Sequence, residues 1–105
     1  MATLKVTCAR GGGKGFAREM TNASIEPQGS IVFLTLDTNE GSVKYRLWAE
    51  RDAPSSIVIT RYLHQEISAV MDKNGTLDIR EDPERSFLHI GRHLGPQKRF
   101  SGERI

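Results

Sequence analysis

Residues 30–50 read SIVFLTLD-TNEG-SVKYRLWAE, two apolar runs joined by a short polar turn that contains glycine. That pattern predicts a β-hairpin. With the turn at 38–41, Asp37 faces Ser42, Leu36 faces Val43 and Thr35 faces Lys44. Successive side chains on a strand point to opposite faces, so this register sorts the ribbon into two sets. Val32, Leu34, Leu36, Val43, Tyr45 and Leu47 are apolar apart from the tyrosine hydroxyl and are expected to face a core. Ile31, Phe33, Thr35, Lys44, Arg46 and Trp48 form the opposite face, two large aromatics mixed with two cations. One reading has another layer or subunit covering Phe33 and Trp48 while Lys44 and Arg46 extend to water. The other is a stacking platform beside positive charge, the arrangement that binders of single-stranded nucleic acid use.

Toward the N-terminus, TLKVTC at 3–8 alternates, with Leu4, Val6 and Cys8 expected inward on a strand and Cys8 acting as a small buried hydrophobe. Arg10 and Lys14 could lower the pKa of that thiol, but no second Cys or His stands near it in sequence to support catalysis. The glycine-rich stretch that follows, RGGGKGFAR at 10–18, lacks both phosphate-binding patterns. Lys14 is followed by Gly15 and Phe16 rather than Ser or Thr, and Phe16 stands where a dinucleotide fingerprint needs glycine. It reads as a basic loop whose Arg10, Lys14 and Arg18 supply positive charge. Its resemblance to RGG-type segments is loose, since the triplet occurs once. Residues 19–29, with turn formers and Pro27, predict an irregular connection, including at most one helical turn.

Beyond the hairpin, RDAP at 51–54 breaks the strand. Ile59, Leu63, Ile67, Val70 and Met71 then draw a helical stripe, with Ser55 or Ser56 as N-cap and Asn74-Gly75 at the C-terminal end. The helix is expected to dock Tyr62 and Leu63 on the Leu34/Leu36/Tyr45 face. A rival hairpin through Asn74-Gly75 would pair Met71 with Asp78 and Asp72 with Leu77, poor partners, so the helix is preferred over 55–72. TLDIRE at 76–81 and SFLHI at 86–90 predict two further strands separated by a turn at 82–85. The remainder, from 91 on, reads as a basic tail, ordered only if it docks.

At 105 residues the chain is expected to form a single domain, with the basic loop at about 10–18 and the basic tail at about 92–105. One cysteine permits no internal disulfide, and the absence of an apolar N-terminal stretch points to a reducing, cytoplasmic setting. No apolar run is long enough for a bilayer. The Asn-x-Ser/Thr triplets at Asn22 and Asn74 read as chance. Net charge is +2 but uneven: residues 1–19 carry +3, 20–84 carry −5 and 85–105 carry +4. Basic ends on an acidic body suit either an external polyanion or the body of another copy.

The chemistry-bearing residues do not assemble into a known motif. His89 and His93 are four apart, but Gly91 interrupts the segment and no Cys or carboxylate completes a metal set. His64 falls on the polar side of the helix. Asp78, Glu81, Asp82 and Glu84 read as a solvated turn cluster rather than carboxyls with raised pKa values. No nucleophile elbow occurs. The expectation is therefore a non-enzymatic protein with no metal or cofactor. Its predicted fold is α+β, a small antiparallel sheet in the chain order β-β-β-α-β-β packed on one helix. Its expected function is nucleic-acid association through Phe33, Lys44, Arg46 and Trp48, aided by Arg10, Lys14 and Arg18 in the loop and Lys98 and Arg99 in the tail. The alternatives are a protein-binding regulator that uses the same face, such as an inhibitor, immunity-type or adaptor module, and a self-assembling subunit, with a homodimer as the simplest assembly.

Overall fold

The computed structural model describes residues 1–9, 14–49, 55–91 and 100–105. Its elements run β1 (Thr3–Cys8), β2 (Phe16–Gln28), β3 (Ile31–Thr38), β4 (Gly41–Ala49), α1 (Ser56–Asp72), β5 (Thr76–Asp82), β6 (Phe87–Ile90) and β7 (Phe100–Arg104). The class is α+β, as the periodicities predict. The sheet is larger than expected and mixed: seven strands in the order β6-β5-β1-β2-β3-β4-β7. β1 and β5 are parallel, and the other neighbours are antiparallel.

The hairpin adopts the predicted register, with Thr38 opposite Gly41, Asp37 opposite Ser42 and Leu36 opposite Val43. Its turn is held by the Thr38 hydroxyl, which donates to the Gly41 carbonyl at 2.7 Å. Gly41 has φ 113, a conformation that side-chain-bearing residues rarely adopt. The apolar set of the ribbon is buried throughout, with Tyr45 fully enclosed.

Two strands correct the sequence reading. Residues 19–28 belong to β2, not to an irregular connection, and the strand begins at Phe16, inside the stretch read as a loop. A β-bulge between Met20 and Asn22 shifts the pairing, so Phe16, Arg18 and Met20 share a face with Ala23 and Ile25 rather than with Asn22 and Ser24. A strand whose parity changes midway shows no continuous period of two. Pro27 is tolerated because β1 pairs only with Phe16–Glu19, leaving the second half of β2 with one open edge. The second correction is β7, inside the expected tail, which pairs with β4 from Tyr45–Arg104 to Ala49–Phe100 and buries Phe100.

α1 occupies its predicted span. Ser55 stands at its N-terminus without a side-chain capping bond. At the other end Asn74 has φ 51 and the Gly75 amide donates to the Val70 carbonyl at 2.8 Å, which closes the helix and excludes the rival hairpin. The helix buries Ile59, Leu63, Glu66, Ile67 and Val70 against β2, β3, β4 and β5.

The sheet is rolled. β4 and β5 stand four places apart in the strand order, so in a flat sheet they would be separated by roughly 19 Å. Yet the Tyr45 hydroxyl on β4 donates to Glu81 Oε1 on β5 at 2.7 Å. The two edge strands also meet, with the Gly102 amide of β7 donating to the Ser86 carbonyl just before β6 at 3.1 Å. The result is a nearly closed barrel with the apolar set inside. No helix among the described residues is long and apolar enough to cross a membrane.

Candidate functional site

Strand parity places the outer face of β3 and β4 as the hairpin register predicts. Phe33 and Trp48 are half-buried on it, and Lys44 and Arg46 are exposed. Phe33 lies opposite Arg46 on one side and Glu26 of β2 on the other. Arg46 lies opposite Glu103 of β7 and donates to its Oε1. The same guanidinium sits 5.9 Å from the centre of the Trp48 ring. One cross-strand row thus runs Glu26, Phe33, Arg46, Glu103, with a carboxylate at each end. The aromatics and cations are adjacent, but Arg46 already has a counter-ion, and the face carries both signs of charge. Glu103 lay in the presumed tail, and only the placement of β7 brings it here.

Of the other predicted basic residues, Lys14 and Arg18 are described, and neither lies on β3 or β4. Lys14 is exposed ahead of β2. Arg18 is a strand residue opposite Leu4, so it projects toward the inner side, where it reaches Glu40 at 3.4 Å and lies 4.3 Å from the centre of the Phe16 ring. Arg10, Lys98, Arg99 and His93 lie outside the described residues.

A second polar assembly occupies the end of the barrel near the β3–β4 turn. Tyr45 and Arg104 are cross-strand partners and therefore share the inner side. Arg104 Nε stands 3.5 Å from Glu81 Oε1, the same oxygen that accepts the Tyr45 hydroxyl. Arg104 also lies 5.8 Å from the Phe16 ring centre. Burial, then the hydrogen bond to Glu81, pushes the Tyr45 phenol far above its ordinary range, opposed in part by Arg104. A phenol held this firmly in its neutral form serves as a donor rather than a base.

This assembly corrects the reading of the acidic cluster as solvated. Glu81 is 5% exposed and Asp82 is 7% exposed. The signal for Glu81 was present in the sequence, because Leu77 and Ile79 face inward and Glu81 continues their alternation. Asp78 and Glu84 do face solvent. Cys8, expected to be buried, is intermediate and free. It lies opposite Glu81 on the parallel β1–β5 pair, which places it near the same end of the barrel. Glu66 is a further buried carboxyl, on the inner side of α1. No group of three or more His, Cys, Asp or Glu among the described residues is placed to share a metal ion.

No protein family, curated protein or solved structure matches this chain.

Proposed function

We propose that this chain is a non-enzymatic binding protein that engages a protein partner through the outer face of β3 and β4, with Trp48 and Phe33 as anchors. The observation that carries the reading is the placement of Arg46, paired with Glu103 and adjacent to the indole of Trp48. A half-buried aromatic beside a pre-positioned guanidinium, rimmed by charges of both signs, is the composition of a protein hot spot. Nucleic-acid affinity instead depends on cations that neutralise phosphate. Here Glu26 and Glu103 oppose that role.

The test compares partner capture by the wild-type chain with that by Trp48→Ala, with circular dichroism as a check on folding. Loss of at least tenfold in affinity for the captured partner, with the fold retained, is expected. Undiminished capture by a folded Trp48→Ala variant would remove this face from consideration.

A second reading, association with nucleic acid, is favoured by exposed Lys44 and Lys14 and by the basic ends of the chain. It requires a raised 260/280 nm absorbance ratio in freshly purified protein. It also requires an oligonucleotide mobility shift that weakens steeply between low and moderate salt.

A further inference from the structure

Where the edges of the rolled sheet meet, a cavity of about 280 Å³ lies between the end of β5, the 83–86 turn, the start of β6 and the end of β7. Two of its lining residues are the buried acids Glu81 and Asp82. They are not equivalent. Glu81 Oε1 accepts the Tyr45 hydroxyl and faces Arg104. Asp82 Oδ2 has only a long approach from Arg85 Nε at 3.8 Å, and the Arg85 side chain is 65% exposed. Asp82 Oδ1 is buried and has no hydrogen-bond partner among the described residues.

A carboxylate oxygen that leaves water without gaining a donor is strongly destabilising, so buried Asp82 Oδ1 has the capacity to accept a donor that arrives from outside. Rotation about a terminal carboxylate torsion is broad and two-fold, so either oxygen can turn toward the cavity. The rest of the lining is mixed: Pro83, Phe87 (43% exposed) and buried Leu88 are apolar, while Ser86, Glu103 and Arg104 are polar, with Arg104 engaged by Glu81 and Glu103 by Arg46. The volume lies just below the usual range for small-molecule sites, about 300–1,000 Å³, which fits a small group rather than a nucleotide or large cofactor.

We propose that this seam cavity is a binding site for a small organic cation, an alkylammonium or guanidinium group. Its N–H donors satisfy Asp82 and its apolar stem packs on Phe87. The cation can belong to a free small molecule or to a lysine or arginine side chain of a partner. The site shares Glu103 with the Trp48/Phe33 face, but the residues that would hold the cation, Asp82 and Phe87, lie outside that patch.

The test is a titration of isotope-labelled protein followed by amide chemical shifts. The probes are butylammonium chloride, methylguanidinium chloride and a blocked Gly-Arg-Gly peptide, with sodium chloride at matched ionic strength as control. Saturable shifts are expected at 82–88 and 102–104. Asp82→Asn should weaken binding at least tenfold. The same variant should unfold at a higher temperature than the wild-type chain, because a neutral amide is less costly to bury than a carboxylate whose one oxygen has no donor. Tighter binding of the peptide than of the free cations assigns the cation to a protein partner, whereas equal or weaker binding assigns it to a free molecule. Shifts no larger than in sodium chloride, or unchanged in a folded Asp82→Asn variant, overturn the proposal.

Discussion

Tyr45 is a core residue that spends its one polar atom on Glu81, and through Glu81 it ties β4 to β5 across the interior. Replacing it by phenylalanine leaves Glu81 with Arg104 but without its short neutral donor. The expected loss is about 1–3 kcal/mol at neutral pH, measured by urea unfolding. The same substitution has a pH signature. Below pH about 10 the folded and unfolded chains both hold the phenol proton, and the folded preference has no effect on stability. Above that value the unfolded chain releases the proton and the folded chain keeps it, so stability falls as pH rises. The wild-type chain should therefore lose up to about 1.4 kcal/mol per pH unit more than Tyr45→Phe between pH 10 and 11. Parallel alkaline profiles for the two proteins would show that the phenol is not held neutral. Gly102 is the other residue whose identity follows from its surroundings. A Cβ built there would sit 2.7 Å from Leu88 Cδ1 and closer still to Leu47 Cδ2, so any side chain at this position requires those leucine ends to move.

At the level of elements, what could be read from the sequence was whatever has an unbroken period. The β3–β4 ribbon, β1, β5, β6 and α1 each carry a regular apolar alternation or stripe, and each was legible to within a residue or two. β2 and β7 were not, for separate reasons. In β2 the bulge after Met20 reverses the parity, and Pro27 argues locally against a strand that tertiary pairing nonetheless accommodates. In β7 a central glycine and charged neighbours obscure a strand whose only large apolar residue is Phe100. That residue anchors the strand: Phe100 is buried and its ring lies 6.3 Å from that of Tyr62 on α1. Phe100→Ala is expected to cost about 3–5 kcal/mol in chemical unfolding. A loss under about 1 kcal/mol would mean that β7 contributes little to the folded state. The candidate contact face was half legible. Phe33, Lys44, Arg46 and Trp48 follow from the hairpin register, but Glu26 and Glu103, which set the charge beside them, arrive on the two missed strands.

For the whole molecule the decisive feature is the rolling of the sheet. Rolling sets β6 beside β7, encloses the apolar side of the ribbon and creates the seam cavity. If the seam persists in solution, the Gly102 amide, bonded to the Ser86 carbonyl, should exchange with solvent at least a hundredfold more slowly than an unprotected amide. Exchange at the unprotected rate would mean that the edges part and the cavity is transient. The sequence by itself determined which side of each regular strand and of the helix is apolar, because alternation and the helical stripe are properties of consecutive residues. It thereby determined the class and the hairpin register. Only the tertiary structure decided that β1 runs parallel to β5, that the edges meet, that Asp82 is buried beside Glu81, and that Arg46 has a counter-ion. Those facts depend on which distant strands become neighbours, and the period of a strand records its own two faces but not what lies beside it.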